Sequence, residues 1–189
     1  MNYTHSENLN KFIQEVIKES KHQLIDLHAI AVSIGPGSYT GLRIGVSSAK
    51  GLAYALNIPV IAISTLQSLA FSFMKEMEPD DLIIPMIDAR RMEVYCAVYD
   101  NKLHEKEEVK ALVLDQNSFM YFKDAGKIWL VGDGVEKIKA IHNASQFNYI
   151  HCFPTSKSMV QLAHQKYLSS DFVDIAYFEP FYLKDFIAG

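Results

Sequence analysis

The sequence predicts an α/β protein built as two halves. Three observations predict it. Short, wholly apolar runs alternate with amphipathic stretches at helical spacing. Near Pro79 this alternation gives way to consecutive strand-like runs. Finally, 49% of the 189 residues are apolar, enough for a sizeable core. The expected halves are residues 1–79 and 80–189.

The first helix is expected over Ser6–Glu19. Thr4 and Glu7 stand at capping-box spacing, and Leu9, Phe12, Ile13, Val16 and Ile17 make one apolar face. "AIAVSI" reads as a buried strand, followed by the glycine loop "GPGSYTG" and a helix over Leu42–Leu56. "PVIAIS" is a second strand and "LQSLAFSFMKEM" a second crossover helix, which together imply a parallel sheet. Beyond Pro79, "LIIPMIDARRMEVYCAVYD" reads as two strands around a tight turn at Ala89–Arg91, and "EEVKALVLD" as a third. "KIWLVGDG" is a strand with a glycine turn, leading into a helix over Val135–His142. "YIHCF" is a strand, "SKSMVQLAHQKYL" a helix, and the aromatic tail "IAYFEPFYLKDF" packs across the surface or on the first half.

The glycine loop is the densest local signal. Pro36 fixes φ at one corner of a turn, and Gly37 suits positive φ at the next. Ser38 or Thr40 can cap the helix that follows. Strand, turn and helix N-terminus resemble an anion site, but no Gly-Lys-Ser/Thr closes the loop, and Pro36 removes an amide. A turn with a cap therefore explains the loop better than a self-sufficient nucleotide cradle.

On the helix behind the loop, Leu42, Gly45, Val46, Ala49, Leu52, Ala53 and Leu56 share one face. Ile44, Ser47, Ser48, Gly51 and Ala55 make a neighbouring stripe. Each mid-helix glycine costs about 1 kcal/mol relative to alanine. That cost is tolerated where a backbone approaches another element closely, inside the chain or on a partner. Arg43 opposes the macrodipole in the first turn, so it is either solvated or matched to an anion.

Net charge is −4 without a concentrated basic face, which argues against an independent grip on nucleic acid. Cys96 and Cys152 lack metal or redox spacing and read as small buried hydrophobes. Neither a signal peptide nor a membrane-length apolar run is legible, so a cytoplasmic protein without membrane contact is expected. No two histidines stand at i, i+4, which leaves no helical metal pair. Two enzyme readings compete with a binding role. A stand-alone ATPase or kinase would use Gly132-Asp133-Gly134, although Asp133 and Glu136 also fit a helix cap and its N3 carboxylate. A peptidase would use Ser38, Ser47, Ser48 or Ser64, yet G-x-S-x-G is absent. Asp88, Arg90, Arg91 and Glu93 read as a solvated ion-pair network around a turn.

"HSENL", the stretch "GPGSYTGLRIGVSSAKGLAYALNIPVIAISTL", "DARRMEVY" and the terminal "EPFYLK" resemble the TsaB (YeaZ) family. That family is a paralogue of TsaD within the glycoprotease-like branch of the actin-like ATPase superfamily. The resemblance implies two actin-like (ribonuclease H-like) halves. It also implies a non-catalytic subunit that dimerises with a TsaD-like transferase for threonylcarbamoyladenosine modification of tRNA. No catalytic or metal residue is expected in this chain, and no activity alone. The implied docking face comprises Leu9, Phe12, Ile13, Val16, Leu42, Arg43, Gly45, Val46, Ala49 and Ala53. The implied nucleotide-proximal loop comprises Gly35, Gly37, Ser38, Thr40, Gly41 and Arg43, with ATP or ADP at the partner interface and no cofactor bound by the chain alone. Expected partners are the transferase, a TsaE-like ATPase subunit, a second copy in isolation, and tRNA only indirectly. Family members open with a three-stranded meander that this sequence lacks; three strands with turns need about 30 residues. The expectation is an N-terminally truncated chain whose "AIAVSI" strand has an exposed edge.

Overall fold

The computed structural model describes residues 5–122, 124–141 and 145–184, with side chains from residue 8 onward. The expected Thr4–Glu7 capping box and His142 lie outside the described residues. The chain forms two compact units: one takes in the described residues up to Ile63 together with Val160–Tyr182, the other Ser64–Met159 together with residues 183 and 184.

In the first unit, α1 (His5–Glu19) is followed by a short 3-10 turn at Leu24–Asp26, β1 (Ile30–Gly35), α2 (Tyr39–Leu56) and β2 (Val60–Ser64). β1 and β2 form a two-stranded sheet, α2 packs on β1, and α1 packs on α2. Val32, Val46, Ala49, Ala53 and Val60 make the core. Val173, Ile175 and Phe178, from the distant C-terminal segment, complete it. Val173 donates its amide to the Val60 carbonyl at 3.0 Å, and the Lys50 ammonium donates to the Phe178 carbonyl at 3.1 Å. The aromatic tail thus packs on the first half, one of the two placements its composition allowed.

The second unit contains α3 (Thr65–Phe71), β3 (Leu82–Asp88), β4 (Glu93–Asp100), β5 (Glu105–Val113), β6 (Ile128–Val131), α4 (Val135–Ile141) and β7 (Phe147–Ile150). Helix α5 (Ser156–Leu168) spans the division between the units. The sheet order is β5-β4-β3-β6-β7. β3 pairs antiparallel with β4, as β4 does with β5, whereas β3–β6 and β6–β7 are parallel. "LIIPMI" is apolar throughout because both faces of β3 are covered. Ile83 and Ile87 meet Leu66, Leu69 and Ala70 of α3, while Ile84 and Met86 meet the cluster containing Val135 and Ile138 of α4.

Several expectations shift. Helix α3 stops at Phe71 and a separate 3-10 turn covers Met74–Glu76, so the "LQSLAFSFMKEM" helix is shorter than expected. Ser68 and Ser72 turn their hydroxyls back onto the carbonyls of Thr65 and Ser68, which competes with helix propagation. Strand β7 lies two residues earlier than "YIHCF". The β3–β4–β5 portion of the second sheet is the antiparallel meander expected of consecutive strands, and β6 and β7 extend it in parallel. Finally, the compact units divide at Ile63–Ser64 rather than near Pro79, because the buried face of α3 belongs to the core of the second unit.

Candidate docking face and glycine loop

Helix α2 decides which residues a partner could reach. The Ser38 hydroxyl accepts from the Gly41 amide at 3.3 Å, so Ser38 rather than Thr40 caps the helix. Asn57 closes it in the left-handed conformation. Between the caps, the more apolar stripe turns inward. Val46, Ala49 and Ala53 are buried in the unit's own core and are not open to a partner, contrary to their expected place on a docking face. Leu42 and Gly45 are half-buried, and Arg43 is exposed.

The other stripe is more open, although Ile44 and Ser48 within it are half-buried. Thr40, Ser47, Gly51 and Ala55 are exposed, and Tyr54 beside them is 80% exposed. A Cβ built on Gly51 meets nothing within 4 Å. No contact described within the chain therefore explains a glycine in the middle of this helix, where alanine would be more stable. On α1, Leu9 and Ile13 are half-buried, whereas Phe12 and Val16 point outward at 55% and 62% exposure. Two packed helices thus each carry outward apolar side chains, and α2 also carries an unfilled glycine.

The glycine loop serves a different purpose. Gly35, at φ +115, carries the positive φ expected of Gly37, and the Gly35–Pro36 peptide is cis. A Cβ on Gly35 would lie 2.7 Å from the Phe181 carbonyl oxygen and 3.0 Å from Leu42 Cδ1. The Phe181 amide donates to the Ile34 carbonyl at 2.8 Å. Gly35 is consequently buried against the chain's own tail, and Pro36 beside it is buried as well. The ring of Tyr39 lies 4.7 Å from that of Tyr182. The guanidinium of Arg43 stands 5.5 Å from the Tyr39 centroid, and its Nη1 donates to the Tyr39 hydroxyl at 3.3 Å. Burial raises the Tyr182 phenol above its ordinary value, helped by Tyr39 and Glu179 and opposed by Arg43. No local sequence signal marks the tyrosine pair at the head of α2, because its members are 143 positions apart.

The features behind the enzyme readings have structural occupations. A Cβ on Gly132, at φ +127, would meet the Met86 carbonyl oxygen at 2.0 Å, and one on Gly134 would meet Val94 Cγ1 at 2.8 Å. Both glycines let the β6–α4 turn lie against β3. Asp133 accepts the Asp88 amide at 3.0 Å and sits one residue ahead of the position that would cap α4, contrary to the expected cap. Ser38 and Ser64 hydroxyls cap α2 and α3. Among the described residues, no group of three or more His, Cys, Asp or Glu side chains is placed to hold a metal ion. Nor is any described helix long and apolar enough to cross a membrane.

Two α/β units, with the second built on a mixed five-stranded sheet, define a protein of the actin-like ATPase (ribonuclease H-like) class. A family model described as "TsaD: tRNA N6-adenosine threonylcarbamoyltransferase" matches residues 2–188. The chain belongs to that family, on its TsaB (YeaZ) branch. It is 28% identical over 191 residues to the tRNA threonylcarbamoyladenosine biosynthesis protein TsaB of Escherichia coli (strain K12), covering 97% of this chain and 82% of that protein. The TsaB of Buchnera aphidicola subsp. Schizaphis graminum (strain Sg) is 30% identical over 170 residues, covering 84% of this chain and 80% of the relative. The TsaB of Bacillus subtilis (strain 168) reaches 49% identity over 92 residues, which is 49% of this chain and 38% of that one. Among solved structures, YeaZ from Pseudomonas aeruginosa superposes with a TM-score of 0.82 at 25% identity, covering 96% of this chain and 86% of that one.

Proposed function

We propose that this chain is the accessory subunit of a tRNA threonylcarbamoyladenosine-forming complex and pairs with a TsaD-type transferase that carries the catalytic site. Its curated relatives are named for that biosynthesis. One observation carries the docking role: α1 exposes Phe12 and Val16, and α2, which packs on it, exposes Tyr54 and Gly51, whose missing side chain no contact among the described residues explains. Desolvating such a face against a matching helix pair recovers the apolar exposure and lets backbones approach across the glycine. In isolation the same face pairs two copies of the chain. A TsaE-like ATPase joins the pair, and the complex works in the cytoplasm.

Arg43 and the Tyr39–Tyr182 pair mark the end of the face where ATP or ADP held by the partner would lie. There the guanidinium has no carboxylate partner among the described residues. tRNA reaches this chain through the assembled complex rather than by binding it alone, in keeping with the net charge of −4.

Co-purification with a TsaD-type transferase tests the reading, using Gly51→Trp and Val16→Asp as interface variants. Both should lose pairing at least tenfold while keeping the circular dichroism of the parent chain. Undiminished pairing by both would remove the α1–α2 face from the proposal.

A further inference from the structure

We propose that the β3–β4 turn is a contact point for the tRNA phosphate backbone within the assembled complex, with Arg90 and Arg91 supplying the guanidinium groups. This rests on the reading above that the chain serves tRNA modification. Two of the chain's three arginines stand side by side at this turn, both exposed and both in the left-handed region, at φ +67 and +49. Glycine or asparagine would hold such a turn at lower cost.

The turn is pinned from below. Asp88 Oδ1 accepts the Arg90 amide at 2.6 Å and the Lys137 ammonium at 2.8 Å, and the Asp88 amide donates to Asp133. Lys137 also donates to the Glu93 carbonyl at 2.9 Å, while Lys184 pairs with the Glu93 carboxylate. The neighbouring carboxylates are therefore engaged by lysines or backbone amides. Among the described residues neither arginine side chain has an ion pair.

Two unneutralised planar forks on a fixed turn suit an anion with paired oxygens, such as a phosphodiester. A chain of negative net charge cannot hold RNA on this turn alone, so the contact adds to those the partner makes.

The experiment compares complexes of the transferase with the parent chain, with Arg90→Asn/Arg91→Gly, and with Arg90→Lys/Arg91→Lys. Labelled tRNA is titrated at several salt concentrations and read by fluorescence anisotropy. The Asn-Gly variant suits left-handed positions, so its Tm should equal or exceed that of the parent, and its pairing with the transferase should be unchanged. Its Kd for tRNA should rise about tenfold, and its log Kd against log salt should be shallower by about 1 to 2. The lysine variant keeps the charge without the fork and should fall between. A Kd and salt slope equal to the parent's would overturn the proposal. So would weakened protein assembly with tRNA affinity retained, which would assign the arginines to a carboxylate on a partner protein. Failure of the parent chain to pair with the transferase would sink the function this inference rests on, and the inference with it.

Discussion

Asp81 shows how one side chain can hold the start of a strand. It is buried, yet its carboxylate accepts three bonds: from the Trp129 indole at 2.8 Å, the Lys127 amide at 2.7 Å and the Glu78 amide at 3.0 Å. Burial works to raise its pKa, but these donors and the Lys127 charge outweigh burial and hold it below the ordinary value of 3.8. Asp88 and Asp100 are likewise lowered against burial, by Lys137 and the Arg90 amide in one case and by His104, Lys102 and Lys106 in the other. A depressed carboxylate stabilises the fold fully above its unfolded pKa and loses that contribution as pH falls through the folded value. Asp81→Ala strands three donors and should cost about 3 kcal/mol at pH 7, read by urea denaturation through Trp129, the one tryptophan. Below pH 4 the gap between Asp81→Asn and the parent should narrow; a gap constant down to pH 3 would contradict the charged role. Gly35→Ala combines a positive φ with a 2.7 Å clash against the tail backbone. It should destabilise the first unit by about 2–4 kcal/mol, measured by chemical denaturation followed by circular dichroism.

At the scale of elements, periodicity was a good guide wherever one face is buried within the chain. Helix α5 covers the same thirteen residues that its sequence pattern marks, and β3 and β4 surround a turn where charged residues cluster. Helix α2 was legible as a helix but not in its orientation. Both stripes are rich in small residues, and the docking face expected from the sequence lies on the more apolar one, which the sheet buries. The outward stripe holds Gly51, and weighing the two stripes by hydrophobicity would have separated them. The purpose of Gly35 was beyond local reading, since it depends on a tail residue near position 181. These assignments give contrasting outcomes. Gly51→Ala should stabilise the isolated chain by about 0.5–1 kcal/mol, because the added methyl meets open space on a helix. Ala49→Trp should unfold the first unit, since Ala49 is 5% exposed in its core. Thermal melts of both variants check the pair, and an Ala49→Trp protein as stable as the parent would mean that α2 is turned the other way.

For the molecule as a whole, the two units differ in how the chain supplies them. The second is assembled almost wholly from one continuous stretch, whereas the first needs Val160–Tyr182 to finish its core. A chain ending at Met159 should therefore keep a buried Trp129 emission while losing cooperative unfolding of the first unit. Retention of both transitions would show that β1, α2 and β2 suffice by themselves. The discontinuity also sets a timetable during translation. Val60 leaves the ribosome early, but its carbonyl waits for the amide of Val173 until the entire second unit has been synthesised. Throughout that interval an apolar strand edge is uncovered on the nascent chain. Ribosomes stalled near Met159 should accordingly retain a holdase chaperone on the first unit, and those stalled after residue 182 has emerged should release it.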